Sequence, residues 1–407
     1  MQKKKLRAFA KLVARKGINV QKGQSVIVNA ELDQPEFVEM VVDECYKAGA
    51  KEVTVRWSHQ PLSKLTIRHQ SVKTLSTTED WEIERMKHYE KTLPAMIHIL
   101  SDDPDGMRGV NQMKMAKAYQ ARAMVMKPYR DRMDNKYQWC IVAVPGVKWA
   151  KKLFPELSKK QAVEKLWDAI LKASRAEGDP VANWEAHNKD IHSRCAYLNS
   201  LGLVSMHYTS ANGTDFTVGL IEGTVFRGGA GDTIGGVTYN PNIPSEEVFI
   251  SPMKGKAEGI VYSTKPLSYQ SELIENFNIR FENGKAVEWH AEKNEELLTK
   301  LINMDENAGY LGECALVPYD SPINLSGILF YNTLFDENAA CHLALGAGFN
   351  DCIDGFENMT FEECRDKGIN DSIVHEDFMI GSEDLSIVGT DKNGKEIQIF
   401  KNGTWAF

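Results

Sequence analysis

Divalent metal chemistry needs imidazole and carboxylate groups held side by side. The C-terminal half of this 407-residue chain sets several such groups in apolar surroundings. The stretch Ser372–Ile380 reads as a strand containing His375-Glu376-Asp377. Its period-two alternation puts His375 and Asp377 on one face and Glu376 on the other. His342 interrupts the apolar run from Ala339 to Gly346, Glu313 stands alone in Gly312-Glu313-Cys314-Ala315-Leu316, and Glu246-Glu247 heads Val248-Phe249-Ile250 at the start of an expected strand. Singly, a histidine in an apolar segment is most often a hydrogen-bonded core residue, and an isolated glutamate most often caps or pairs. Together, three carboxylates and two histidines are costly to bury unpaired, and a divalent cation is the direct remedy. The residues alone leave open which of Glu246 and Glu247 takes part.

Other chemistries fit less well. The glycine cluster Arg227–Gly236 lacks the dinucleotide fingerprint, since Ile234 stands at a required glycine, and no Gly-Lys-Ser/Thr follows it. It reads as a turn or flexible loop. There is no G-x-S-x-G elbow, because Asn324-Leu325 precede Ser326-Gly327. The seven cysteines are scattered without a CxxC pair, which excludes a zinc knuckle and fits reduced thiols in the cytoplasm. A cysteine nucleophile stays open, without a local signature to support it. The net charge of −8 and pI near 5.8 argue against a nucleic-acid partner. Lys11, Arg15 and Lys16 interrupt any signal-peptide core, and no apolar run reaches the roughly 20 residues of a membrane span. A soluble protein that is not exported is expected, with no membrane partner.

The elements that must position these groups come in two grammars. At this length two domains are expected. In the first half, Leu6, Phe9 and Val13 form a helical stripe stopped by Gly17. Apolar runs at Ser25–Ala30, Glu52–Trp57, Ala95–Leu100, Ala123–Met126 and Trp139–Val144 read as strands separated by helix-compatible sequence. A helix is expected over Pro35–Ala48 with Gly49 as its C-cap, and Ser158 with Gln161 forms a capping box before another. This alternation predicts an α/β domain with a mainly parallel sheet over 1–195. From about Leu203, shorter alternating strands take over: Val204–Thr209, Asp215–Leu220, Thr224–Arg227, Glu247–Ile250 and Glu258–Ser263. Asn283-Gly284 marks a hairpin, and Asn393-Gly394 and Asn402-Gly403 mark two further turns. An α+β catalytic domain rich in antiparallel strands is expected over 196–407.

Several motifs resemble those of the M29 aminopeptidases, the aminopeptidase T and aminopeptidase S group, and the resemblance runs over essentially the whole chain. They include Gly17-Ile18-Asn19-Val20-Gln21-Lys22-Gly23-Gln24, Ala48-Gly49-Ala50-Lys51, and Val144–Ala150 with Phe154-Pro155. Asn242-Ile243-Pro244-Ser245-Glu246-Glu247-Val248-Phe249 is close to the family's N-(I/M)-P-T-E-E-V-F. His375–Ser382 resembles its H-x-D-F-M-I-G-S, and Ile399–Trp405 its closing motif. The resemblance implies metal ligands at Glu247, Glu313, His342, His375 and Asp377, its spacing favouring Glu247 over Glu246. It further implies two divalent ions (zinc, cobalt or manganese), peptide substrates and a homodimer enclosing the site. The implied activity is hydrolysis of the N-terminal peptide bond by metal-activated water, with Glu313 as the ligand shared by both ions. One departure stands out. The family often carries a tyrosine near the metals, shortly after a helical histidine ligand, and this chain has Phe349 there. Tyr319 and Tyr331 are alternative hydroxyl donors. Two rival readings follow: a catalytically weakened metal-binding or scaffold protein on the same fold, and an α/β enzyme using a nucleotide on the N-terminal sheet.

Overall fold

The computed structural model describes residues 3–407. The chain divides into two compact units, Met1–Lys189 with Gly229–Ser245, and Asp190–Gly228 with Glu246–Phe407. The first division falls inside the helix Pro180–Ser200. Residues 229–245, which sequence grouping puts with the C-terminal half, lie in the first unit and supply its last strand.

The first unit is built on a five-stranded sheet in the order Glu52–Ser58, Ser25–Glu31, Ala95–Leu100, Trp139–Ala143, Asn242–Ile243. Every neighbouring pair is parallel. The central strands present continuous apolar runs because helix-covered sheets bury both faces, and Val26, Val28, Ile97, Ile99, Cys140 and Val142 are all buried. The helix Lys3–Leu12 runs on into a π-helical turn, Val13–Gly17. A Cβ at Gly17 would stand 2.8 Å from Cys140 Sγ, so only glycine lets the chain pass the sheet there. Phe9, Phe37 and Trp167 join three helices, with ring centroids 5.6, 5.7 and 6.4 Å apart. The helix Pro35–Ala48 ends at Gly49 with φ of 110°, and Ser158 with Gln161 forms the expected capping box.

One expected strand is absent. Ala123–Met126 lies within the helix Gln112–Met133. Its neighbours Lys114–Lys117 and Gln120–Arg122 are mostly strong helix formers. Only Ala123 of the four is buried, and Met124 is 65% exposed, so the run has no slot in a sheet buried on both faces.

The second unit holds two antiparallel sheets. The larger, of nine strands, runs Leu267–Tyr269, Glu272–Glu282, Pro252–Tyr262, Asp215–Leu220, Leu203–Thr209, Ser386–Asp391, Glu396–Lys401, Thr404–Trp405, and Lys285–Lys293 pairs with Glu272–Glu282. Asn283 and Gly284 both take left-handed angles (φ 49° and 80°), as the tight hairpin between those two strands requires. Thr224–Arg227 is not a strand; Thr224 and Arg227 form isolated bridges, to Ile353 and Phe249. The smaller sheet has four strands in the order Val248–Ile250, Leu311–Leu316, His342–Gly346, His375–Met379. No helix among the described residues is long and apolar enough to cross a membrane.

Candidate metal centre

The four-stranded sheet lays the candidate ligands on one face. Alternation along the strands pairs Glu313 with Ala315, His342 with Ala344, and His375 with Asp377 on the same side, and Glu247 joins them from just before the strand Val248–Ile250. The register sets Ala344 opposite both Glu313 and Asp377, so a methyl group lies between two carboxylates. Its small size leaves room above it. The other face carries Cys314, Leu343 and Phe378, all buried. Glu376 sits with them opposite Leu345, where burial pushes its carboxyl up to about 8. His342 opens a strand, not a helix: extended backbone gives it the same face as Ala344.

The five side chains expected from sequence come together as two triads. Glu247, Glu313 and His342 form one, and Glu313, His375 and Asp377 the other; within each, one ligand atom per residue lies within 4.8 Å of the rest. Glu313 belongs to both. His342 Nε2 is 3.3 Å from Glu247 Oε2, and His375 Nε2 is 3.1 Å from Glu313 Oε2. Asp377 Oδ1 lies 3.5 Å from His375 Nε2 and 4.0 Å from His342 Nε2. That oxygen is buried and has no hydrogen-bond partner among the described residues. A bare carboxylate oxygen between two imidazole nitrogens calls for a cation, and the mixed oxygen and nitrogen donor set suits a divalent one.

Backbone carbonyls aim both imidazoles. His375 Nδ1 is 2.7 Å from Ala347 O, and His342 Nδ1 is 3.1 Å from Ala340 O. With the proton on Nδ1, each Nε2 lone pair faces the carboxylates, the usual support of a metal-bound histidine. Two glycines make the close approaches possible. Gly346, opposite His375, has φ of 103°, and a Cβ there would meet Val374 O at 2.1 Å. A Cβ at Gly228 would meet Glu247 O at 2.4 Å.

The electrostatics are those of several acids sharing one buried space. Burial pushes Glu313 up to about 7, against the lowering effect of its hydrogen bond to His375. For His342, burial acts downward, but Glu247, Asp377 and Glu313 together raise it to about 9. Asp377 shows the converse: burial raises it, while His375 and His342 bring it down to about 2. His375 also ends well above the ordinary imidazole range, because the carboxylates outweigh its burial. Its side chain is 27% exposed whereas that of His342 is 1% exposed, so the His375 side of the cluster is the side open to solvent.

Sequence reasoning missed Glu337. This buried carboxyl is pushed well above its usual range, first by burial and then by the charges of Asp377, Glu247 and Glu313. It also contributes a side-chain hydrogen bond that lowers Asp377. Glu337 sits on a short 3-10 turn, Glu337–Ala339, where no periodicity assigns it a face. The available signal was an acid pair, Asp336-Glu337, set between Leu334-Phe335 and the apolar run after Asn338. Asp336 itself does structural work, accepting from the amides of Phe330 and Asn332 at 2.8 and 3.0 Å.

Phe349 borders the cluster. Its ring centroid is 4.9 Å from that of His375 and 5.3 Å from that of Phe249, and its amide donates to Ser251 Oγ at 2.8 Å. Tyr331 lies in the turn that Asp336 caps, with φ of 55°. Tyr319 is 37% exposed and bonded through its amide to Gly403.

Comparison with known proteins extends over the whole chain. The model of the thermophilic metalloprotease family M29 matches residues 2–405. Aminopeptidase AmpS of Bacillus subtilis is 42% identical over 405 residues, covering 99% of this chain and 98% of the relative. Aminopeptidase T of Thermus thermophilus is 38% identical over 405 residues, with the same coverage. The solved structure of wild-type AmpT from Thermus thermophilus superposes with a TM-score of 0.89 at 37% identity, covering 100% of both chains.

Proposed function

The chain belongs to the M29 family of metalloproteases, and we propose that it is a metal-dependent aminopeptidase that releases N-terminal amino acids from peptides, using two divalent ions. The observation that carries this reading is the pair of triads with Glu313 in common. A carboxylate has two oxygens and can serve two ions at once, which an imidazole does not readily do. Glu247, Glu313 and His342 would hold one ion, and Glu313, His375 and Asp377 the other, with Glu337 beside them as a further ligand. Divalent ions held there supply Lewis acidity toward a peptide carbonyl and acidify water for attack.

The protein's own groups do the rest. Ala340 and Ala347 carbonyls keep both imidazoles pointed inward. The more exposed His375 marks the side from which substrate approaches. A free α-amine is drawn to this acidic cluster, which restricts cleavage to chain ends. Phe349 offers no hydroxyl to a developing oxyanion, the one observation that favours a weakened enzyme. The seven buried cysteines, all thiols, support a cytoplasmic location, and the family resemblance supports a homodimer.

The test is metal analysis of the purified protein together with hydrolysis of a panel of aminoacyl reporter substrates, before and after chelation. About two ions per chain and chelator-sensitive release of the N-terminal residue are expected. Metal binding without turnover would favour a binding protein on this fold. A 45.8 kDa particle by light scattering at micromolar concentration would contradict the dimer.

A further inference from the structure

Two of the acids at the centre lie outside the regular strands. Glu247 precedes its strand, and Glu337 stands on the 3-10 turn. Asn338 connects them. It is fully buried, and its carboxamide is used at both ends. Oδ1 accepts from the amide of Glu246 at 2.6 Å, while Nδ2 donates to Leu334 O at 3.0 Å and to Glu337 Oε1 at 3.3 Å. The Asn338 carbonyl in turn accepts from Ser321 Oγ at 2.8 Å, which anchors the turn from behind.

We infer that Asn338 is a positioning residue of the metal centre: it ties Glu337 to the backbone that carries Glu247 and so sets the spacing of two of its carboxylates. This rests on the two-ion reading above. Only a carboxamide meets the demand, since the site needs one acceptor and two donors on a short, uncharged side chain. The donor on Oε1 turns Glu337 so that Oε2 is the oxygen left for Asp377 or an ion. A partner that orients a ligand in this way typically changes metal affinity about 10- to 100-fold.

Asn338→Asp separates the two contacts. It keeps an oxygen for the Glu246 amide and replaces the donor that serves Glu337 and the Leu334 carbonyl with a second carboxylate oxygen. Ion binding to the full-length protein is measured by calorimetric titration with zinc or manganese alone, for wild type, N338D, E337Q and the double variant. Thermal midpoints of the metal-free forms are recorded alongside. The expected result is one ion loosened about 10- to 100-fold in N338D, with the other ion little changed and the metal-free midpoint lowered by the added buried acid. In the E337Q background, N338D should then add less than about threefold, because coupled residues are non-additive. Wild-type affinity for both ions in N338D, additive losses in the double variant, or equal loosening of both ions would each overturn the assignment. Should N338D not fold, Asn338→Ser passes through the same cycle with the same criteria. Wild-type protein that binds no divalent ion would overturn the metal reading itself, and the role of Asn338 with it.

Discussion

The parallel sheet of the first unit and the four-stranded sheet of the second are both deeply buried, yet they hold opposite contents. Val26, Val28, Ile97, Ile99 and Val142 fill the first with aliphatic groups, and each fully buried side chain of this kind stabilises by about 1.5–3 kcal/mol. The second has an apolar face of Cys314, Leu343 and Phe378, but its other face gathers Glu247, Glu313, His342, His375 and Asp377. Burying acids opposes folding unless a counter-charge arrives. The first sheet is complete once its helices cover it; the second has a face that is chemically unfinished until a cation binds. Changes in the first unit should therefore act on stability, and changes on the ligand face should act on ion binding and turnover.

The strongest test of that contrast is Glu313, the side chain common to both triads. Glu313→Ala should lower kcat by more than about 10³-fold, beyond the scale of losing one oxyanion donor, and should weaken both ions together in a titration. Loss of one ion alone would show that Glu313 is not shared. A smaller effect is expected at the rim. Phe349→Tyr returns a hydroxyl beside His375, and kcat should rise on the order of 10²-fold with metal content unchanged. An unaltered kcat at full metal occupancy would show that another donor already serves.

Ion binding should also depend on pH in a defined direction. Without a bound ion, burial pushes Glu313 up to about 7, and the neighbouring carboxylates raise His342 to about 9. Below those values protons occupy ligand atoms and compete with the ion, so affinity should climb between about pH 6 and pH 9. Calorimetry in buffers of different ionisation enthalpy should record more protons released at pH 7 than at pH 9.5. Affinity that is flat over this range would refute the shared-proton picture. The smallest effect on function is expected from Val28→Ala in the first sheet. It should cost about 2 kcal/mol of stability, at the low end of core truncations, and leave ion affinity as in the wild type. A parallel loss of ion affinity would break the contrast between the two sheets.

Local patterning determined much of this molecule. The apolar runs at Ser25–Ala30 and Ala95–Leu100 become strands, Asn283-Gly284 turns a hairpin, and alternation alone puts His375 and Asp377 on one face. Each follows from steric and hydrophobic periods acting over a few residues. The misread segments are those where a local period was lacking or was outvoted. Ala123–Met126 joined the helix that its neighbours favour, and Thr224–Arg227 formed isolated bridges in place of a strand. Glu337 lies on a turn without any period. Only the tertiary structure decided strand order, and with it that Ala344 separates Glu313 from Asp377, that the carbonyls of Ala340 and Ala347 aim the imidazoles, and that Asn338 joins Glu246 to Glu337. These contacts join residues from separate strands and turns. Their geometry depends on which strands pair and in what register, which no local window of sequence contains.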